Sequence, residues 1–549
     1  MSSEYVGFKR RPAVGLGCAY AIGILCGILY NVSFVIPVAL AAALAVICVA
    51  MLAMAEKNSS LSRFINPLLF LIIICIGWAT GSFEAEELRY GNKPWDTDKI
   101  EIIGIVCNDP EPAFESASGE SVWAFNFKTE HVVVGCVPSR VRVFWHMASN
   151  VSKHKWKHYA PKYGDKLRIR GQIRRYKHGS PNFMAKTSKR ADIDTGPGRS
   201  LFLSRDHGSA FVRGCLEGRR SAYRLLALGI EEHTQSVALI HALLLGYRSQ
   251  MTSEIKNIFA ETGVLHVFAI SGLHVGIIAV LLTRLLRIFR VSRVYWVLFL
   301  CPCLLVYTVA TGARASAVRA CVMAIVYYLA PLVRRKADIP SAIAVAGILI
   351  LTWAPLQITD VGFIFSFIVV IGIVALYPLF DRPLKRFWEP DPFLQWTGGG
   401  NSLHAVGDSV WIRLRRVTGR YVSSLAAMSI AAWLSSAPLT MYFFSRLSVA
   451  ALIANIFVIP LAFMIVLTGC LTIVFGTCLS WMAVTFNHAN LILVHAQIAI
   501  VSLASRIPFG SVAVQTPPIW IVCAWYMLLA VIAIRFYARG LSDITHKAC

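Results

Sequence analysis

The sequence predicts a polytopic α-helical membrane protein of about twelve spans, some broken, carrying one small external β-barrel module. Three observations predict it. Hydrophobic residues make up 56% of the 549 and charged residues only 15%, against roughly 45–50% and about 25% in soluble domains. Apolar runs of membrane length recur along the chain. One stretch, near residues 99–195, has no such run and is instead basic and strand-patterned. Together these exclude an ordinary soluble enzyme.

The candidate spans lie at roughly 13–30, 34–54, 67–83, 264–283, 294–311, 316–333, 341–353, 357–380, 421–443, 449–478, 481–504 and 518–535. The first is too long for a signal peptide and lacks a small-residue cleavage site, so it is read as a retained helix. Lys9, Arg10 and Arg11 precede the first span, Lys57 and Arg63 follow the second, and Arg284 to Arg293 follow the fourth. Arg334, Arg335 and Lys336, Arg382 to Arg386, and Arg535 with Arg539 continue the pattern. Lys and Arg concentrate on cytoplasmic loops, which places both termini inside and the β-rich stretch outside. The chain then divides into N-terminal helices (1–85), the outer module (99–195), amphipathic interfacial helices (200–262) and a helical membrane domain (263–540). Most of the fourteen cysteines fall in spans, where they act as small buried hydrophobes. Cys107 and Cys136 fall in the outer module, where a disulfide is permitted.

Within the outer module, residues 101–107, 122–127, 140–145, 166–173 and 182–186 read as five strands. Five strands suit a small OB-type barrel, and the count alone does not separate it from other small barrels. Between Arg140 and Arg190 stand fifteen Lys and Arg against one acidic residue, Asp165. Such a surface attracts phosphates, and stacking on aromatics is worth about 1–3 kcal/mol per base. Lys166, Arg168 and Arg170 share one strand face, Arg174 and Arg175 follow, and Trp123, Phe144, Trp145 and Trp156 are candidate stacking platforms. Phe125 and Phe127 read as barrel core. After the module, Arg205, Arg213, Arg219, Arg220 and Arg224 stand among Phe and Leu, the pattern of helices lying at a membrane interface.

Inside the membrane domain, His266 and His274 interrupt an apolar run. Ionisable side chains are costly in hydrocarbon and usually face a bundle interior or a wet cavity. Glu261, Ser271, Arg314, Ser316, Arg319, Asp360 and Ser366 join them as candidates. Ser316 and Arg319 are one turn apart and share a face. Arg319 and Asp360 have a second reading, as a structural ion couple, and the histidines as satisfied core residues. Gly272 and Gly276 form a small-xxx-small pair that admits a close helix neighbour. Asn455 and Pro460 mark a further interruption of regular helix. The residues His404 and Asp408 do not make a zinc site, and Gly398 to Gly400 lack the Lys-Ser/Thr of a phosphate loop.

These residues also carry a resemblance. Gly263 to Gly276, with its Ala-Ile-Ser271-Gly272-Leu-His274-Val-Gly276 core, resembles the signature of the ComEC family, the inner-membrane DNA channels of bacterial competence. Leu243-Leu-Leu-Gly246-Tyr-Arg248-Ser249 and Thr311-Gly312-Ala-Arg314-Ala-Ser316-Ala-Val-Arg319-Ala320 resemble two further elements. Asp360-Val-Gly362-Phe363-Ile-Phe-Ser366-Phe367 resembles a fourth, with Val361 and Ile364 where proline and glutamine are usual. Ser445-Arg-Leu-Ser448 with Ala454-Asn455-Ile-Phe-Val-Ile-Pro460 resembles the last. The resemblance implies an OB-type outer domain, a broken segment at Gly362–Phe363 beside the path, and inward passage of single-stranded DNA in the lipid bilayer. It also implies a DNA receptor or pilus system outside and a cytoplasmic helicase. Many members carry a C-terminal nuclease with a His-x-His-x-Asp-His cluster; that motif does not occur in this sequence, so a separate nuclease is expected. No catalytic residue, metal or cofactor is expected. Two other classes stay open: a secondary transporter for a smaller anion, and an intramembrane hydrolase built on Ser271.

Overall fold

The computed structural model describes the chain apart from residues 1–10, 31, 56–61, 92–99, 116–120, 135–139, 148–160, 174–190, 196–199, 206, 269–271, 389–409, 509 and 547–549. Three helices open it: α1 (Pro12–Leu29), α2 (Val35–Ala55) and α3 (Ser62–Gly91). Gly23 and Gly27 of α1 meet Gly77 and Gly81 of α3, and a Cβ at any of the four would collide with the opposing backbone. Two small-xxx-small stripes thus let the helices touch main chain to main chain.

A β module follows, with strands β1 (Ile100–Val106), β2 (Glu111–Glu115), β3 (Ser121–Val134), β4 (Arg140–Met147), β5 (Lys166–Ile173), β6 (Ala191–Thr195) and β7 (Ser200–Ser204). Pairing runs β1-β3-β4-β6-β5 and returns to β1, with β2 added to β3 and β7 to β5. All pairs are antiparallel except β4 with β6. Alternate residues point inward, so Ile100, Ile102, Phe125, Phe127, Val141, Val143, Trp145, Leu167 and Ile169 form one buried core. Phe125 and Phe127 are therefore core, as their alternation implied. Strands β2 and β6 were not anticipated, and the expected strand at 182–186 lies outside the described residues. So do Cys136, Trp156, Arg174, Arg175, His404 and Asp408.

The segment 200–262 differs from its expected form at both ends. It opens with strand β7 because Ser200–Ser204 adds to the edge of β5. Helix α4 (Ala210–Leu225) is amphipathic, but α5 (Thr234–Leu245) is buried from Ala238 to Leu245. A helix apolar all round belongs in an interior. Short α6 (Ser253–Glu261) then packs Phe259 into the same core.

The remaining helices are α7 (Gly272–Ile288), α8 (Trp296–Ala310), α9 (Ala315–Leu329), α10 (Ile339–Trp353), α11 (Val361–Arg386), α12 (Val410–Phe444), α13 (Ala450–Gly476), α14 (Ser480–Ser505) and α15 (Ile519–His546). A two-stranded ribbon, β8 (Arg446–Ser448) with β9 (Ser511–Ala513), ties the start of α13 to the loop after α14. Among the described residues, eight helices are long and apolar enough to cross a membrane. That count fits a polytopic membrane protein; the other expected spans are shorter or broken. The expected span at 264–283 divides into a 3-10 turn, Leu265–Phe268, and α7. One expected interruption is absent: α13 runs unbroken through Asn455 and Pro460. Proline removes one helical hydrogen bond, and burial of Val458, Ala462, Ile465 and Val466 on both sides of it holds the axis.

Candidate functional site

The arginines of the membrane motifs are largely occupied with backbone carbonyls. Helix α5 ends at Gly246 in the left-handed region, φ 82°, leaving terminal carbonyls without helical partners. Arg219 donates to the Leu245 carbonyl at 2.8 Å and lies 3.9 Å over the Tyr247 ring. Arg314, at the N-cap of α9, donates to the Gly246 carbonyl at 2.7 Å. Arg248 reaches the Phe268 carbonyl, also at 2.7 Å. Gly246, Arg248 and Arg314 thus brace α5, the 3-10 turn and α9 against one another. Arg219, from α4, completes the brace; the sequence placed it on an interfacial helix face, but it is 3% exposed because its guanidinium turns inward to the Leu245 carbonyl and the Tyr247 ring.

The two histidines are placed differently. His266 is exposed, with Nδ1 3.1 Å from the Gly263 carbonyl oxygen. His274 is 0% exposed inside the bundle. Gly263 has φ 73°, and a Cβ there would lie 2.7 Å from Cβ of Ser448. Glycine at this position lets the chain turn tightly against the β8 ribbon. Gly272 admits Ala320 of α9, whose Cβ would lie 3.3 Å from an added methyl. Gly276 meets nothing within 4 Å, so only half of the small-xxx-small pair is a close approach. Glu261 is exposed, and Ser271 lies outside the described residues.

Arg319 is 3% exposed on α9 and donates through Nε and Nη2 to Ser366 Oγ on α11, at 3.2 and 3.0 Å. Ser316 is half-buried one turn before it. The alternative reading, an ion couple with Asp360, does not form as a contact ion pair. Asp360 instead caps α11, its Oδ1 accepting the Phe363 amide at 2.8 Å, the usual role of Asp at an N-cap. Both charged groups crowd Gly362, where a Cβ would stand 2.9 Å from Asp360 Oδ1 and 3.3 Å from Arg319 Nη2. Phe363 stacks 4.3 Å from Phe367 and is buried. The 3-10 turn Pro355–Thr359 before Asp360 supplies a break in regular helix next to Gly362.

Arg319 also lines a cavity of about 520 Å³ where the β module meets the bundle. Asn108, Asn126 and Arg142 line it from the module, and Arg314, Arg319 and Gln357 from the bundle. Asn108, Asn126, Arg142 and Gln357 were missed in the sequence. Arg142 had a legible signal, standing between inward Val141 and Val143 and so facing out. Its guanidinium lies 5.2 Å over the Phe144 ring.

The cationic strand β5 is partly neutralised. Lys166 pairs with Glu130 at 2.7 Å, and Arg168 and Arg170 both reach Glu101 Oε1, the latter at 3.0 Å. Burial pushes the Glu101 carboxyl up, but hydrogen bonds from Arg170 and Arg168 outweigh it and hold it below the usual range. The Lys166 ammonium holds Glu130 low in the same way. The expected stacking platforms are not open: Phe144 and Trp145 are 4% and 6% exposed. Trp145 fills the module core, and Phe144 packs with Ala124 on the opposite face. Trp123 packs half-buried against that core. Among the described residues, no group of three or more His, Cys, Asp or Glu is placed to hold a metal.

The family model described as competence protein matches residues 243–539, more than half the chain. The chain belongs to the competence protein family. The matched region begins within α5 and takes in every membrane motif residue from Gly246 to Pro460. The β module lies outside it. This competence-family chain is 25% identical over 266 residues to ComE operon protein 3 of Bacillus subtilis, covering 47% of the chain and 30% of that protein. It is 27% identical over 231 residues to uncharacterized protein YcaI of Escherichia coli, covering 41% of the chain and 27% of the relative. The matches thus span less than a third of each relative's length. No solved structure matches.

Proposed function

We propose that this competence-family protein passes single-stranded DNA inward across the cytoplasmic membrane during natural transformation. In this reading the β module is an OB-type barrel on the outer side, both termini are cytoplasmic, and the module contacts the incoming strand. The observation that carries the reading is the cavity shared by module and bundle, lined by Arg142, Arg314 and Arg319. A polyanion crossing a low-dielectric bundle needs cations and hydrogen-bond donors along its way. Strand pairing that returns to β1 through one parallel step supports the barrel. Pulling force, strand degradation and surface capture are assigned to partners: a cytoplasmic helicase, a separate nuclease and an external DNA receptor or pilus.

A volume of about 520 Å³ also accommodates a smaller anion, which favours a secondary transporter as the second reading. The test is deletion of the gene in its host, followed by uptake of labelled DNA with surface-bound and cytosolic label separated. Loss of cytosolic label with surface binding retained is expected. Undiminished entry would reject the DNA path and leave the transporter.

A further inference from the structure

We propose that the loops following α7 and α9 form a binding surface for anionic phospholipid headgroups, centred on Arg290 and Arg334. The inference goes beyond the DNA-passage reading and does not depend on it. The junction of α8 with α9, from Gly312 to Ala315, shares a cavity with the β module, and these loops lie at the opposite ends of both helices. Tyr328, near the end of α9, packs on the cluster of Leu286, Trp296 and Leu300. Arg287 lies 5.4 Å over the Trp296 ring. The two loops therefore sit side by side.

Their charge has one sign. Arginines stand at 284, 287, 290 and 293 in the first loop region, and Arg334 to Lys336 in the second, all of them exposed. No acidic residue occurs from Arg284 to Ala337. Asp338, which follows, is engaged by Arg11 at 3.0 Å and accepts the Ser341 amide as the cap of α10. Planar guanidinium forks take phosphate oxygens two at a time.

The backbone is an independent reason. Arg290 and Arg334 both stand at φ 55°, in the left-handed region. Each ends its helix in the same way, the next amide donating to the carbonyl five residues earlier: Val291 to Leu286 and Arg335 to Ala330, both at 2.9 Å. Glycine is the usual residue in that turn, because a side chain there costs free energy. Arginine at both glycine positions is a cost that folding does not require, and such outliers gather at functional sites.

The apolar neighbours select lipid as the occupant. Ile288, Phe289 and Val333 are 74%, 70% and 68% exposed among these cations, next to a helix of membrane length, Arg293–Ala310. A mixture of basic and large apolar side chains suits the boundary between headgroups and acyl chains. A nucleic acid on the arginines would leave the three apolar side chains in water.

The test titrates phosphatidylglycerol into the detergent-solubilised full chain, with phosphatidylcholine as the control, and counts bound lipid by native mass spectrometry. Arg290→Gly, Arg334→Gly and the double variant are compared with the parent. Glycine suits both backbone positions, so the double variant should melt at or above the parent in phosphatidylcholine nanodiscs. Phosphatidylglycerol binding should weaken about fivefold for each change and about thirtyfold for the pair, with phosphatidylcholine binding unaltered. Should the glycine variants melt lower, Arg335→Gln with Lys336→Gln carries the same readout, since neither residue is in the left-handed region. Equal binding of the two lipids by the parent, or unchanged phosphatidylglycerol binding in the folded variants, would overturn the proposal. Tighter binding of a ten-residue oligothymidylate than of phosphatidylglycerol, lost in the double variant, would overturn lipid as the occupant.

Discussion

Two glycines of one motif should respond to the same substitution in opposite ways. Gly263→Ala places a methyl 2.7 Å from Cβ and 2.8 Å from Oγ of Ser448, and 3.2 Å from Cβ of Ala451. The β8 ribbon and the start of α13 hold those atoms, so relief requires backbone movement. Overpacking of this kind costs about 1–3 kcal/mol. The backbone is at φ 73°, which adds about 1–2 kcal/mol for an L-residue. The expected loss is therefore roughly 2–5 kcal/mol. Gly276→Ala meets nothing within 4 Å and lies inside helix α7. There alanine is favoured over glycine by about 0.5–1 kcal/mol. The assay is thermal unfolding of both purified variants in one detergent, with membrane abundance alongside. Gly263→Ala should melt below the parent and accumulate poorly; Gly276→Ala should melt at or above it. Equal midpoints for the parent and Gly263→Ala would refute the argument that the turn is sterically closed. A loss of uptake by stable Gly276→Ala would instead place that open surface on the transport path.

Other expectations follow from the same contacts. Glu101→Gln removes the shared partner of Arg168 and Arg170 and should tighten oligonucleotide binding with a steeper salt dependence. Because the Glu101 carboxyl is held low when folded, its contribution is present above the ordinary carboxylate range and lost as pH falls through the lowered value. The parent should therefore lose stability on acidification that Glu101→Gln does not, checked by melting at stepped pH. Asp109 receives a bidentate Arg220 guanidinium, with Nη2 at 2.7 Å and 2.8 Å from its two oxygens, linking the β module to α4. A double-mutant cycle of Asp109→Asn and Arg220→Gln should return a coupling of about 1 kcal/mol, reduced by the exposure of the arginine; additive effects would show the strut to be idle. Gly77→Ala should separate α1 from α3, because the methyl collides with the Tyr20 backbone carbonyl, and protease sensitivity of the N-terminal helices reports it.

Membrane class, the position of a β module and the ordered motifs were all legible in the chain, because hydropathy and period-two alternation are local properties. Helical character at the expected spans followed from composition alone. Pairing partners were not local. β6 and β7 are five-residue strands that gain their hydrogen bonds from β4 and β5, so nothing in their own sequence announces them. The continuity of α13 through Pro460 was likewise decided by packing on either side of the proline.

The candidate site divides in the same way. Sequence by itself determined which side chains are costly in a membrane: His274, Arg314, Arg319 and Asp360 had to be satisfied somewhere. Only the tertiary structure decided how. Arg314 and Arg248 grip carbonyls that helix endings expose, Asp360 caps the helix it begins, and Arg319 spends two donors on Ser366 of the neighbouring helix. The physical reason is that desolvation acts on a residue type wherever it is buried, whereas a hydrogen-bond partner exists only once distant segments meet in space.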